Sequence, residues 1–252
     1  MDIQQIRNAT MKLHYGGHVF LLDPWLVEKG EGPCFKAVRS HMKTRHSPLD
    51  ALPFPPEEIL RDVDHLLVSH LHPDHFSEAH LPLTLKVIAQ NQQDKAALKN
   101  MGFQHTVTFS ANRLNLGALS ITRVDGAHGD SKELCAQMGD VSGFVFQHPD
   151  EKTLYLCGDT ILNQDVVETI QTFRPDVIVA NCCAATNPVG RLIMNAEDIL
   201  QLSQMAAGAS IIATHLDSVN HALLTRADIR RFVAEHHLEN VHIPENGDVL
   251  SF

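Results

Sequence analysis

Residues 69–75 read Ser-His-Leu-His-Pro-Asp-His and follow an apolar segment, residues 64–69, that we predict to be a buried strand. Three imidazoles and one carboxylate therefore fall within six positions. Although the chain contains 17 histidines in 252 residues, chance placement gives only on the order of 0.005 such motifs. Imidazole and carboxylate groups bind divalent first-row metals, so the motif predicts a metal site at a strand end rather than a histidine-rich surface loop.

Further ligands are expected at other strand ends, because one metal ion needs three or four ligands and two ions need more. Three segments offer them. His128 lies in Asp-Gly-Ala-His-Gly (125–129), Asp159 lies in Cys-Gly-Asp-Thr (157–160), and His215 ends Ala-Thr-His (213–215). Each segment follows a predicted strand, and its glycines suit tight turns where the backbone passes close to a site.

The remaining pattern predicts an α/β fold that begins and ends with β-hairpins. The first hairpin joins residues 10–15 and 18–22, and the last joins residues 241–243 and 249–252 around Asn246-Gly247. Further strands are predicted at residues 85–89, 107–109, 119–124, 143–147, 153–157, 176–180 and 210–214. Helices are predicted at residues 93–100, 165–173, 195–207 and 225–236, the last two capped by Asn195 and Thr225. No linker or repeat interrupts the chain, so we expect one domain over residues 1–252, with two sheets between helices.

Composition restricts the partners and the compartment. Lys and Arg total 20 against 30 Asp and Glu, and the resulting net charge of −10 disfavours a protein that binds nucleic acid through overall charge. The first ten residues contain no apolar stretch typical of a signal peptide, and no run approaches the ~18 apolar residues that span a bilayer. The five cysteines form no C-x-x-C pair. We therefore expect a cytoplasmic protein without membrane contact.

The order of these motifs resembles the metallo-β-lactamase superfamily over nearly the whole chain. The resemblance implies an αββα sandwich, in which two mixed β-sheets are flanked by helices and the metals lie at one edge of both sheets. It also implies a ligand set for two divalent metal ions. The first ion would be held by His70, His72 and His128, the second by Asp74, His75 and His215, and Asp159 would bridge both.

A narrower resemblance points to the branch that contains ascorbate-6-phosphate lactonase. It is based on Asp23-Pro24-Trp25 after the opening hairpin and on Asn220-His221 after the last ligand. This resemblance implies that Trp25, Asn220 and His221 contact the substrate. The alternatives are that Trp25 packs under the hairpin and that Asn220 and His221 are a helix cap and a surface histidine.

The implied activity is that of a dinuclear metal-dependent hydrolase. Two metal ions about 3.5–4 Å apart share a water and lower its pKa from 15.7 toward ~7. The bridging hydroxide would attack a small, anionic metabolite, with a lactone or ester as the first expectation; Asp74 could orient it, and His221 is a further catalytic candidate. Zinc is the expected metal, and manganese or iron are alternatives because no thiolate among the ligands selects zinc.

Two other functions remain open at this stage. The first is a phosphodiesterase or nuclease of the same superfamily, which the acidic net charge disfavours. The second is a non-catalytic metal-binding protein, although structural sites are usually closed cages of four ligands rather than open pairs. The resemblance allows a homo-oligomer, but no coiled-coil heptad in the sequence indicates one.

Residues 24–58, which we name the cap loop, contain six prolines and no sustained period. A loop of this length is usually functional or disordered. Its basic residues, Lys36, Arg39, Lys43 and Arg45, could attract an anionic substrate to the site. The alternative is an ordinary solvated loop.

Overall fold

The computed structural model describes residues 1–252 and contains strands and helices in alternation along most of the chain. The strands are β1 (Asp2–Arg7), β2 (Thr10–Tyr15), β3 (His18–Leu22), β4 (His65–Val68), β5 (Lys86–Ala89), β6 (His105–Thr108), β7 (Arg113–Leu116), β8 (Leu119–Asp125), β9 (Ser142–Gln147), β10 (Leu154–Leu156), β11 (Val177–Asn181), β12 (Ser210–Thr214), β13 (Val241–His242) and β14 (Val249–Ser251). The helices are α1 (Pro56–Ile59), α2 (Gln92–Asn100), α3 (Lys132–Met138), α4 (Gln164–Phe173), α5 (Ala196–Met205) and α6 (Arg226–Glu235).

The strands form two mixed sheets of seven strands each. The first has the order β14-β1-β2-β3-β4-β5-β6, antiparallel as far as β3 and parallel from β3 to β6. The second has the order β13-β12-β11-β10-β9-β8-β7, antiparallel from β7 to β10 and parallel from β10 to β13.

The two sheets pack face to face because successive side chains of a strand point to opposite faces. In β11, Val177 and Val179 join the apolar core between the sheets, whereas Ile178 and Ala180 join the core beneath α4, α5 and α6. A third core lies between the first sheet and helices α1 and α2. The layers are therefore helix, sheet, sheet and helix, and the expected αββα sandwich of two mixed sheets is confirmed.

Local capping signals set the helix boundaries as predicted. Asn195 caps α5, and its side chain accepts from the Asp198 N–H while the Asp198 carboxylate accepts from the Asn195 N–H. Thr225 and Asp228 form the same reciprocal pair at α6. These bonds satisfy amide groups that have no partner within the helix, which is why a local pattern was sufficient to locate them.

The predicted final hairpin is wrong, although its turn is present. β13 pairs in parallel with β12 in the second sheet, whereas β14 pairs antiparallel with β1 in the first. Asn246 lies between these strands, and its side chain bonds to Asp50 and Arg226 instead of closing a tight hairpin. Each of the two strands extends the open edge of a different sheet, so β13 and β14 do not pair with each other.

Four elements were not predicted, namely β1, β7, α1 and α3. In β1, Gln5 and Arg7 are buried although both are polar. Gln5 bonds to Asn8 O, and Arg7 bonds to the carbonyl groups of Trp25 and Val27. Hydrophobic alternation cannot identify such a strand, because its buried positions are satisfied by hydrogen bonds.

Candidate metal centre

The predicted ligands follow four strand ends. Residues 70–75 come after β4, His128 after β8, Asp159 after β10 and His215 after β12. β8, β10 and β12 run in one direction, because β8 and β10 are both antiparallel to β9 and the pairings from β10 to β12 are parallel. The carboxyl ends of these three strands therefore lie at the same edge of the second sheet, and β4 brings the motif of the first sheet to it.

The structure brings all seven predicted ligands together. Three overlapping groups have ligand atoms within 4.8 Å of one another: His70, His72 and His128; His70, His75 and Asp159; and Asp74, His75 and His215. The first and third groups coincide with the two sets implied by the resemblance. Asp159 lies between them, with Oδ2 3.1 Å from His75 Nε2 and 3.8 Å from His128 Nε2. The ligand role of each individual residue stays a prediction.

Each of the five imidazoles uses one ring nitrogen for a contact outside the cluster. These contacts join His70 Nδ1 to Ser69 Oγ (3.0 Å), His72 Nε2 to Met138 O (3.0 Å), His75 Nδ1 to Asp23 Oδ2 (2.8 Å), His128 Nδ1 to Leu192 O (3.1 Å) and His215 Nδ1 to Cys183 Sγ (3.4 Å). Metal-binding histidines are typically held in this way, since the outer contact fixes the tautomer and the ring orientation. The other nitrogen of each ring is then available to a metal ion.

The chemistry of the cluster fits a bound cation. His70 Nε2 is fully buried and has no hydrogen-bond partner, which is costly unless another group binds it. The carboxylates of Asp74 and Asp159 are also buried, and histidines are their ion-pair partners. Divalent metals that prefer nitrogen and oxygen ligands would satisfy the free nitrogen and both carboxylates together.

Mutual interactions decide which groups in the cluster are ionised. Burial lowers the pKa of His75, but the carboxylates of Asp159 and Asp23 outweigh it and raise that pKa to about 10. Burial raises the pKa of Asp159, but His75 and His215 bring it well below its ordinary value. For His128, burial prevails and lowers the pKa to about 4. The Asp159 carboxylate is therefore ionised at neutral pH, as a metal ligand must be.

Asp23 is a functional residue that the sequence analysis did not assign. Its carboxylate accepts from Ser69 N–H (2.7 Å), Ser69 Oγ–H (2.7 Å) and His75 Nδ1–H (2.8 Å). Because Ser69 Oγ gives its proton to Asp23, it accepts from His70 Nδ1. Asp23 thus orients two imidazoles of the cluster. The sequence signal for Asp23 was its position at a strand end, since it directly follows β3. Because β3 and β4 are parallel neighbours, this end lies beside the end of β4 that carries the motif.

Gly158 allows the chain to place Asp159 in the cluster. Its φ is +68°, and an added Cβ would lie 2.6 Å from the backbone oxygen of Ser142. We expect Gly158→Ala to lower the free energy of unfolding by about 2–3 kcal/mol, measured by urea denaturation. Gly17→Ala is the matched control, because Gly17 has a φ of +78° with no atom within 4 Å of the added Cβ. Equal losses in the two variants would show that the close approach to Ser142 contributes nothing.

A cavity of about 140 Å³ opens beside the cluster. It is lined by Phe35, Lys36, His72, Asp74, His128, Met138, Asp159, Asn187, Leu192 and His221. Pockets for drug-sized ligands have volumes of roughly 300–1,000 Å³, so this cavity suits a smaller molecule. Of the five Lys and Arg residues in the cap loop, Lys36 alone lines it.

His221 lies where a substrate contact is expected. Its ring packs against Phe35 with 4.6 Å between the ring centroids, and burial lowers its pKa to about 4. The imidazole is therefore neutral at pH 7 and can donate and accept one hydrogen bond. Its catalytic role stays a prediction.

The structure places Trp25 and Asn220, two of the expected substrate contacts, away from the cavity, and their contact with a substrate stays a prediction. Trp25 is 1% exposed and belongs to the apolar core, where the Arg7 guanidinium lies 5.1 Å from its ring. Asn220 is fully buried, and its side chain bonds to the backbone of the cap loop. Neither residue lines the cavity. Both side chains make their contacts within the protein.

Comparison with known proteins identifies the family. The model of the Beta-lactamase superfamily domain matches residues 2–215. This chain belongs to the β-lactamase superfamily. It is a metal-dependent hydrolase of the metallo-β-lactamase type, with His/Asp metal-binding clusters. The narrower likeness to the ascorbate-6-phosphate lactonase branch stays a prediction.

Three members of the superfamily are similar to this hydrolase along its full length. The UPF0173 protein YddR of Bacillus subtilis is 37% identical, with 100% of both chains covered. The isothiocyanate hydrolase from Delia radicum gut bacteria is 38% identical with a TM-score of 0.94, covering 100% of this chain and 99% of the other. A "possible metal-dependent hydrolase" from Veillonella parvula is 30% identical with a TM-score of 0.95 and the same coverage. None of the helices is long and apolar enough to cross a membrane.

Proposed function

We propose that this hydrolase uses two divalent metal ions to cleave a small substrate at an electrophilic carbon. The observation that carries the proposal is the pair of ligand sets on either side of Asp159, which border one small cavity. When bound, the ions supply Lewis acidity and an activated hydroxide near neutral pH. Zinc is the first candidate, with manganese or iron as alternatives, because the nitrogen and oxygen ligands do not select one metal.

The chain's own residues would bind and orient the substrate. Phe35, Met138 and Leu192 offer an apolar wall that excludes water from the reacting carbon. The Asp74 carboxylate would accept a hydrogen bond from the attacking water and so orient it. His221 donates a hydrogen bond to the heteroatom that gains charge as the bond to carbon breaks.

The first candidate substrate is an isothiocyanate, R–N=C=S. The apolar wall suits the organic group R, and the isothiocyanate hydrolase is similar to this chain over its full length. Water adds to the central carbon, where a C–O bond forms and the nitrogen takes up a proton. The C–N bond then breaks as the hydroxyl proton of the adduct passes to the nitrogen, and the products are the amine R–NH₂ and carbonyl sulfide. One water is consumed, and no oxidant or reductant is needed.

The second candidate is a small lactone or ester that carries an anionic group. Lys36 favours it, because this residue lines the cavity while the other basic residues of the cap loop do not. The same nucleophile would attack the carbonyl carbon, and the alkoxide oxygen would leave with a proton.

Metal analysis and a substrate panel test the proposal. We expect close to two metal ions per chain and turnover of a small isothiocyanate, allyl isothiocyanate, in preference to an anionic lactone and to bis-p-nitrophenyl phosphate. One ion or none would contradict the dinuclear site. Turnover of the phosphate diester alone would contradict attack at carbon.

The variant Lys36→Glu separates the two substrate classes. For an anionic lactone, we expect KM to rise about 2- to 5-fold, since an exposed charge contributes modestly. For a neutral isothiocyanate, KM should not change. Lys43→Glu is the matched control, because Lys43 belongs to the same loop but does not line the cavity.

A further inference from the structure

The side chain of Asn220 binds the cap loop at several points. Its Oδ1 accepts from Phe35 N–H (3.1 Å) and from Ser47 Oγ–H (3.3 Å). Its Nδ2 donates to Phe35 O (2.9 Å) and to Met42 O (3.1 Å). The backbone N–H of Asn220 also donates to Ser47 Oγ (3.0 Å). One fully buried amide thus replaces the backbone partners that a strand would have provided.

The cap loop has little regular structure of its own to hold it. Between Pro24 and Pro55 it contains one short 3₁₀ turn, Ser40–Met42. Its base is closed by bonds from Gly32 N–H to Ser47 O (2.7 Å) and from Ser47 N–H to Pro33 O (2.9 Å). Between these closing residues, the Arg39 guanidinium donates to the backbone oxygen of Leu223. The loop segment that carries Phe35 therefore depends on Asn220.

The short segment of residues 215–221 connects this anchor to the site. Asn220 lies five residues after His215 and directly before His221. Both backbone groups of Phe35 bind Asn220, and the Phe35 ring packs on the His221 ring inside the cavity. A displacement of the loop would therefore change the width of the cavity without moving the predicted ligands.

We propose that Asn220 is a positioning residue that holds the cap loop as a rigid wall, and that this wall selects ligands by the size of the group that meets Phe35. Without the amide, Phe35 N–H and O and Met42 O lose their partners, and the loop opens locally while the sheets stay folded. The selection of substrates rests on the proposed function, but the rigidity of the wall does not.

Hydrogen exchange of the variant Asn220→Ala tests the anchor. We expect the amides of Phe35 and Ser47 to exchange at least about 10-fold faster than in the wild type, with no change in the strands of either sheet. Asn163→Ala is the matched control, because Asn163 is also an asparagine whose side chain accepts from a backbone N–H, at the start of α4. Unchanged exchange in residues 33–47, or an equal increase throughout the protein, would overturn the anchor.

Two metal-chelating probes of different size test the selection without requiring turnover. In the wild-type holoenzyme, we expect acetohydroxamate to bind more tightly than benzohydroxamate. Asn220→Ala should reduce the ratio of the two Kd values at least about 5-fold while the metal content stays unchanged. Asn220→Asp, which retains the acceptor Oδ1 but loses the Nδ2 donor, should lie between. An unchanged ratio together with faster exchange would overturn the size selection. If no substrate of the panel is hydrolysed, the exchange rates and the Kd ratio still decide this inference.

Discussion

Replacement of Asp159 by alanine is expected to lower kcat by more than about 100-fold and to reduce the metal content from two ions to one or none per chain. The reason is the position of the carboxylate between the two ligand sets. Its Oδ2 lies 3.8 Å from His128 Nε2 of the first set and 3.1 Å from His75 Nε2 of the second. Loss of an outer partner of a metal ligand typically costs 10–100-fold, so loss of a shared ligand should cost more.

Elemental analysis and steady-state kinetics measure this effect. Asp159→Asn keeps the side-chain volume and an acceptor for Asn181 Nδ2, so it separates the loss of charge from a packing defect. Asp150→Asn is the matched control, because Asp150 is an exposed aspartate remote from the cluster. A variant that loses Asp159 yet retains two ions and full activity would show that the bridging assignment is wrong.

Replacement of Asp23 by asparagine is expected to weaken metal binding by about 10–100-fold, although Asp23 belongs to none of the three metal-binding groups. The carboxylate accepts three hydrogen bonds, two from Ser69 and one from His75. An amide in its place offers one acceptor atom instead of two, so the orientation of His70 and His75 is lost in part. Competition with a chelator of known affinity measures the change.

Asp64→Asn is the matched control for Asp23. Asp64 is also an aspartate next to the β3–β4 pair, and its carboxylate accepts from the Val19 N–H at the opposite end of these strands. The variant Asp64→Asn should therefore leave the metal affinity unchanged. Equal weakening in both variants would indicate that the strand pair, rather than the carboxylate at the cluster, controls metal affinity.

Much of the fold could be predicted because its signals are local. Short apolar runs located β3, β11 and β12, and the capping residues located α5 and α6. The candidate ligands were recognisable for the same reason, since four of them lie within six residues and the others directly follow predicted strands. Burial, ligand chemistry and strand ends are all encoded within short segments.

Local patterns in the sequence are least informative where a distant partner decides the outcome. Trp25 follows a strand end, which suggested a pocket wall, but Arg7 and the core cover it. The turn of the final hairpin was predicted correctly, but its two strands pair with the edges of different sheets. A local pattern reveals neither the contact of Trp25 nor the pairing of the last strand, because Arg7 and β1 lie far away in the sequence.

The sequence by itself determined the strand alternation, the helix caps and the donor groups that would bind metal. Only the tertiary structure decided how those donors are oriented and how the cavity is closed. Asp23 meets Ser69 across 46 residues, and Asn220 meets Phe35 across 185. The physical reason is that these contacts join a side chain to a distant backbone or side-chain group, so they exist only after both sheets and the cap loop have come together.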